Sequence, residues 1–443
     1  MATHNGESGP HGEAGFNEAE AGFNETAAGF IEASALRTRF CAALSAMYRA
    51  EVPLYAELID IVETVNARVL AGAPGEARLG LERHGAIRLG TAEELATMAR
   101  AFAVMGMSPV GYYDLAPAGV PVHSTCFRPI GAEALAQNPF RVFCSLLRLE
   151  LLDEGLRAEV AAILARRQIF SSEALRLIAL AERDGGLRAG DAEAFVAALL
   201  ETFRWHDAAT VDAATYARLA AAHRLVADIV AFKGPHINHL TPRTLDIDAA
   251  QAEMLARGID AKEVVEGPPA RAVPILLRQT SFKALTEKVR FTDQQPGEAG
   301  AHTARFGEIE QRGAALTPKG RALYDRLLAE VQAAQGPYTE RLTRIFAAFP
   351  DDLPTLVEQG LIHVRHTRDA AGAPSFTPIT YEDFLPVSAA GIFQSNLAGE
   401  ARRDYEDTAS QAAFEAALGR QVADPFALYA AIEEASRRAL TPA

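Results

Sequence analysis

The chain has 443 residues, enough for two or three average domains or one large duplicated one, and 49% of it is apolar, so it can bury a substantial core. Its 57 acidic residues against 43 basic ones give a net charge of -14, which argues against a general affinity for phosphate backbones or anionic lipid. Three widely spaced cysteines, Cys41, Cys126 and Cys144, offer neither a disulfide framework nor a thiolate zinc site and suit a reducing cytoplasm.

The start, MATHNGESGPHGEAGF, lacks the basic lead and apolar centre of a signal peptide, and no apolar run is long enough for a spanning helix. The protein is therefore expected in the cytoplasm, with no membrane and no nucleic acid among its partners. Residues 1–35 read as a flexible extension with a seven-residue repeat, AGFNE at 14–18, AGFNE at 21–25 and AGF at 28–30. Residues 36–443 are expected to form a single domain. It opens with two amphipathic helices, the second keeping Leu54, Leu58, Ile61 and Val65 on one face.

RHGAIRLG then predicts a strand, and TAEELATMARAFAVMGM a helix opened by a capping box of Thr91 and Glu94. Extended runs follow at 109–114, 121–129 and 139–149, with APAG as a turn between the first two. Together they make a βαβββ unit over about 83–150. Several helices in a row are predicted over about 155–230. The first order then returns over about 236–312: an extended INHLTPR, a helix from DAAQAEMLARG capped by Asp246 or Asp248, and extended VPILLRQTSFKAL and ARFGEIEQRG. Helices and irregular chain fill 313–443.

Spacing supports a duplication. His84 and Thr125 are 41 positions apart, as are His239 and Thr280, and at the common offset of 155 Arg88 matches Arg243, Phe127 matches Phe282 and Arg128 matches Lys283. Such a pair of units can curl its sheet around a metal, with a histidine from the first strand of each. The fold predicted is thus α+β, a duplicated βαβββ half-barrel around a metal site, with a large helical insert and flanking helices.

Independent core histidines have no reason to occupy equivalent strand starts, so His84 and His239 are the metal candidates. His4, His11, His206 and His223 read as solvated or hydrogen-bonded residues. His236 falls on Leu81 at the same offset and reads as a neighbour of the site or a packing residue, with His123 and His302 as weaker alternates. RFGEIEQRG supplies Glu308 and Glu310, which share one face of a strand, and either can complete two histidines and one carboxylate. That donor set binds a divalent first-row metal and leaves cis positions open, the arrangement of non-haem Fe(II) oxygenases. Arg88 follows His84 by four residues, on the same strand face and about 13 Å along it, so an acidic small molecule can bridge metal and guanidinium. Arg128, Arg243 and Lys283 stay unranked between substrate contact and charge compensation.

RHGAIR, FKGPHINHLTPRTLDID, FGEIEQRG with ALTPKGRALYD, and FLPVSAAGIFQSNL resemble the 2-oxoadipate dioxygenase/decarboxylases, or hydroxyglutarate synthases, from about Arg37 to the C-terminus. The resemblance implies a vicinal oxygen chelate-like fold with a helical addition. It implies Fe(II) as cofactor, and conversion of 2-oxoadipate and O2 to 2-hydroxyglutarate and CO2 in bacterial lysine catabolism. It assigns His84, His239 and Glu308 to the metal, preferring Glu308 over Glu310, and Arg88 to substrate, with His84 and His239 also beside the substrate. Val387 and Ser388, in PVSAAGIF, would close the pocket. The competing expectation is a metal-dependent isomerase or hydrolase acting on a small oxo-dicarboxylate on the same scaffold.

Overall fold

The structure is a computed structural model that describes residues 26–73, 75–295, 298–303, 305–369, 371–385 and 408–440. Two helices, Ala33–Glu51 and Pro53–Leu70, meet at Val52, where Pro53 takes the first position of the second helix and ends the backbone ladder of the first. Leu58, Ile61 and Val65 are buried as their spacing predicts, while Leu54 is only partly covered. No helix among the described residues is long and apolar enough to cross a membrane.

Strands β1 (Arg83–Leu89), β2 (Ser108–Asp114), β3 (Val122–Arg128) and β4 (Arg141–Leu147) follow the expected order and share one sheet with β5 (Leu240–Pro242), ordered β2-β3-β4-β1-β5. β1 runs parallel to β4, which needs a crossover, and the helix Ala92–Val104 opens it. Thr91 Oγ1 accepts the Glu94 N–H, and the Glu94 carboxylate accepts the Gly90 N–H at 2.7 Å, one residue earlier than a capping box would have it. A short helix, Ala132–Gln137, interrupts the run between β3 and β4 that the sequence pattern left without an element.

The sheet is buried on both faces. Ile87, Phe127, Val142 and Cys144 join a core with the N-terminal helices, whereas Ala86, Cys126 and Phe143 join a second core with the C-terminal ones. This is the period of two of a pleated strand. His84, Ala86 and Arg88 therefore share the second face, and the small Ala86 leaves room between the two long side chains.

The second copy repeats the first's pairings. A parallel bridge joins Arg243 to Glu310 on β9 (Glu308–Arg312), β9 pairs antiparallel with β6 (Leu277–Ser281), and an antiparallel bridge joins Gln279 to Glu266. Thr125 faces Cys144 and Thr280 faces Ile309, so the offset of 155 at the third strand becomes 165 at the last. The cause is an inserted hairpin, β7 (Thr286–Val289) and β8 (Gly300–Thr303), which sequence patterning did not reveal. INHLTPR is strand only over its last part. Upstream its backbone bonds irregularly, Ile237 N–H to Phe203 and Asn238 N–H to Ala86.

Gly85 sits where the two copies cross. A Cβ there would meet Ile237 Cδ1 at 2.4 Å and the carbonyl oxygen of His239 at 2.9 Å, so only glycine lets the His239 segment lie against β1.

The helical insert consists of Glu154–Leu164, Ser172–Asp184, Ala189–Phe203, Ala213–Ala222 and Arg224–Val230, with Asp153, Ser171, Asp212 and His223 as caps. Asp246, not Asp248, caps the helix Ile247–Ala256. The C-terminal part adds helices from Pro318 onward and a hairpin, β10 (Val364–Arg368) and β11 (Pro374–Pro378).

A buried ionic layer ties these parts together. Glu82 takes Arg78 at 3.1 Å, Arg141 at 2.9 Å and Arg243 at 3.1 Å, while Glu382 takes both ends of Arg78 at 2.8 and 3.0 Å and also contacts Arg141. Arg128 grips Asp383 at 2.6 and 3.1 Å. Arg128 and Arg243 thus compensate carboxylates, and Lys283 forms a surface pair with Asp260 at 2.8 Å.

Replacing Gly85 by alanine is expected to overpack the crossing and cost about 1–3 kcal/mol, read as a lower thermal midpoint. The ionic layer predicts acid sensitivity. Burial opposes the Glu382 charge, but Arg78 and Arg141 prevail and hold its pKa at about 2. A carboxyl depressed below its unfolded value of ~4.3 contributes stability above that pH and loses it as the pH falls toward 2. The midpoint should drop between about pH 5 and about pH 3. Arg78→Met should cost about 3–5 kcal/mol at neutral pH and flatten that acid slope. An undiminished slope in the variant would place its origin elsewhere.

Candidate metal centre

His84 enters from β1, His239 from the segment leading into β5, and Glu308 from the first residue of β9. One ligand atom from each lies within 4.8 Å of the others, and all three residues are buried. His84 Nε2 is 3.0 Å from Glu308 Oε1, and His239 Nδ1 is 3.7 Å from the same oxygen. Phe306 stacks on the His239 ring at 4.8 Å and Phe384 meets the His84 ring edge-on at 4.9 Å, so packing fixes both imidazoles.

The surrounding polar groups aim the donors. Gln279 Nε2 donates to Glu308 Oε1 at 2.8 Å and Thr241 Oγ1 donates to it at 3.1 Å, while Thr241 Oγ1 also lies 2.8 Å from His239 Nδ1. Glu310 takes the other side of His84, its Oε2 2.9 Å from Nδ1 in a close contact that lacks hydrogen-bond alignment. Arg312 Nε donates to Glu310 Oε1 at 2.9 Å. The two glutamates that share a face thus divide: Glu308 sits with both histidines, and Glu310 stands behind one of them, where a carboxylate orients a metal-bound imidazole.

Electrostatics suit a cation. Burial pushes the His239 pKa down to about 4, with His84 and Arg88 adding to it against Glu308, so its ring is neutral. Burial also works against a charged His84, but Glu310 and Glu308 outweigh it and raise its pKa. Glu308 is lowered despite burial, by His239 and His84, and Glu310 is held at about 2 against burial by Arg312, His84 and Arg141. Two ionised carboxylates around two imidazoles in a buried space form a donor set that a divalent first-row metal complements.

Arg88 lies beyond Ala86 on the same face, and its Nη1 donates to Asp228 Oδ2 at 2.5 Å. Its field reaches His239. His236 is outside the group of three: its Nε2 is 3.3 Å from Asp228, and its ring meets Trp205 edge-on at 4.6 Å. His302 also turns to Asp228, and His123 packs against Phe414 at 4.7 Å. His223 caps a helix by accepting the Leu225 N–H. His4, His11, Val387 and Ser388 lie outside the described residues.

Sequence patterning missed Thr241, Gln279, Asp228, Ser281 and Lys262. Ser281 pairs with Glu308 across β6 and β9, and Lys262 stands opposite Ser281 on the next chain segment, its N–H donating to the Ser281 carbonyl. Opposed residues in a ladder share a face, so Glu308, Ser281 and Lys262 form a row. Burial lowers the Lys262 pKa to about 8 against the pull of Glu308 and Glu266. No local motif marks Lys262, since its place depends on the pairing of an irregular segment.

Comparison with known proteins gives the family. The family profile for 2-oxoadipate dioxygenase/decarboxylase matches residues 40–396. A Pseudomonas putida protein of that name is 57% identical over 449 residues, covering 92% of this chain and 97% of its own. The crystal structure of the hydroxyglutarate synthase from Pseudomonas putida in complex with 2-oxoadipate superposes with a TM-score of 0.87 at 55% identity, covering 93% of this chain and 98% of that one. A glyoxalase superfamily protein from Ralstonia eutropha, 20% identical, matches with a TM-score of 0.50 over 66% of this chain and 87% of its own, a likeness of fold alone. With its duplicated α+β unit of the vicinal oxygen chelate kind and its group of two histidines and one glutamate, the chain belongs to the 2-oxoadipate dioxygenase/decarboxylase family.

Proposed function

We propose that the protein is an Fe(II)-dependent enzyme that converts 2-oxoadipate and O2 to 2-hydroxyglutarate and CO2 in the cytoplasmic catabolism of lysine. The observation that carries this reading is the buried group of His84, His239 and Glu308 with Arg88 on the same face of β1. Relatives named for this reaction, and the solved relative with 2-oxoadipate, support the choice of substrate. The three buried, free cysteine thiols suit a reducing compartment.

The reaction balances. C1 leaves as CO2, one atom of O2 enters the carboxylate made at the former keto carbon, and the other becomes the hydroxyl of the five-carbon product. Iron held by His84, His239 and Glu308 would supply the open cis positions and the redox chemistry for a chelating 2-oxo acid and O2. The protein's own part is placement. Gln279 and Thr241 hold the Glu308 carboxylate, Glu310 orients His84, and Phe306 and Phe384 exclude water around the imidazoles. Arg88 binds a substrate carboxylate and directs the carbon chain, which makes the span from His84 to Arg88 the measure of chain length. Val387 and Ser388 are the proposed groups that close the pocket.

The test is the purified protein loaded with Fe(II), given 2-oxoadipate, and followed for O2 uptake and 2-hydroxyglutarate together. Equal consumption and formation are expected. Turnover of the oxo acid without O2 would favour isomerase or hydrolase chemistry, and no uptake by iron-loaded, folded protein would end the proposal. His84→Ala, His239→Ala and Glu308→Ala are expected to lose bound iron in metal analysis. Arg88→Ala should keep iron and raise KM by roughly 10- to 100-fold, as for a lost charge-assisted hydrogen bond. Iron lost from His236→Ala but kept in His239→Ala would reverse the ligand assignment.

A further inference from the structure

Asp228 sits in the helix Arg224–Val230 at the end of the helical insert and is 6% exposed. Arg88 and His302 converge on it, and His236 stands close by with its Nε2 accepting from Asn238 Nδ2 at 3.2 Å. Arg88 Nη1 reaches Oδ2 at 2.5 Å, His302 Nε2 lies 2.9 Å from Oδ1, and His236 Nε2 lies 3.3 Å from Oδ1. Tyr216 Oη in turn lies 2.8 Å from His302 Nδ1, and Trp205 stacks parallel to the His302 ring at 5.8 Å. Burial opposes a charge on Asp228, but Arg88, His236 and His302 keep it far below the usual carboxylate range.

Asp228, Tyr216 and His302 come from the two additions to the duplicated unit. Tyr216 and Asp228 belong to the helical insert, and His302 belongs to β8, in the hairpin that breaks the offset of 155. Both additions therefore meet behind Arg88. The ion pair is end-on: among the described residues only Nη1 of Arg88 has a partner, so Nη2 and Nε stay available for a second carboxylate. A long guanidinium side chain left loose loses rotamer freedom when it binds, and prior restraint removes that cost.

We propose that Asp228 is a positioning residue for substrate recognition, which, with His302 and Tyr216 behind it, holds Arg88 so that its other edge meets a carboxylate of the oxo acid. This rests on the reading of Arg88 as the group that binds substrate. It assigns to the insert and the inserted hairpin a common task that neither His84, His239 nor Glu308 requires.

The test uses the full, iron-loaded chain with Asp228→Asn, Arg88→Ala and the double variant, measuring KM and kcat for 2-oxoadipate. A second readout is anaerobic titration of the fluorescence of Trp205, the only tryptophan, which needs no turnover. Asp228→Asn is expected to weaken substrate binding roughly tenfold, the loss of about one immobilised side chain's worth of preorganisation, with bound iron unchanged. The double variant should be no worse than Arg88→Ala. An unchanged binding constant in folded Asp228→Asn, or an equal further loss in the Arg88→Ala background, would overturn the proposal. Should Asp228→Asn fail to fold, His302→Gln carries the test, with a smaller loss in the same direction expected and none overturning it. If Arg88→Ala itself binds substrate normally, the reading of Arg88 is what fails.

Discussion

The structure turns on placing two carboxylates on either side of one buried imidazole. Glu308 and Glu310 approach opposite nitrogens of His84 at 3.0 and 2.9 Å, from a strand more than two hundred residues away in the chain. Burying such charge costs several kcal/mol per ion unless partners and hydrogen bonds compensate. The neighbourhood is arranged accordingly. Arg312 and Arg141 back Glu310, Gln279 and Thr241 donate to Glu308, and the same arginines continue through Glu82 to Arg78, Arg243 and Glu382. The ionic layer is thus an extension of the centre rather than a separate stabilising device.

Among the described residues the group of His84, His239 and Glu308 offers three donors and not four, and the duplication explains why. With the offset of 165 that the last strands show, Glu308 matches Phe143 and Glu310 matches Ser145. Phe143 packs against Phe384 at 5.3 Å, which itself covers His84. One copy therefore places a carboxylate, and the other a ring, at equivalent positions. The arginines diverge in the same way: Arg88 pairs with Asp228, while Arg243 pairs with Glu82 and Glu76. A symmetric scaffold has become a one-sided site, with Glu308 on one side and the rings of Phe143 and Phe384 on the other.

Much of this was legible in the sequence because it depends on local period and on spacing. The histidines at a shared offset, the helix cap at Thr91 and the helical insert need only residues near each other or a repeated distance. What was hidden depends on register. Glu308 and Glu310 share a face, so alternation cannot separate them, and the pairing of Glu308 with Ser281 and of Glu310 with Gln279 does. Asp228 is 140 positions from Arg88 and carries no motif. The hairpin of β7 and β8 was missed because TEKV and GAHT are short and mostly polar, with no apolar alternation to mark them. The strand in INHLTPR shortens because Ile237 and Asn238 bond to Phe203 and Ala86 instead of a regular partner.

The distribution of rigidity then has a chemical reason. His84, His239 and Glu308 are held by packed rings and by hydrogen-bonding neighbours, an arrangement that keeps donor groups from reorganising. Among the described residues Arg88 is the exception on that face, tethered through one nitrogen. A fully satisfied guanidinium, such as Arg128 clasped by Asp383 at both ends, has nothing left to offer a ligand. A free one would have to be ordered at each binding event. An arginine held by a single carboxylate lies between these limits, and the elements added to the duplicated fold supply that one hold.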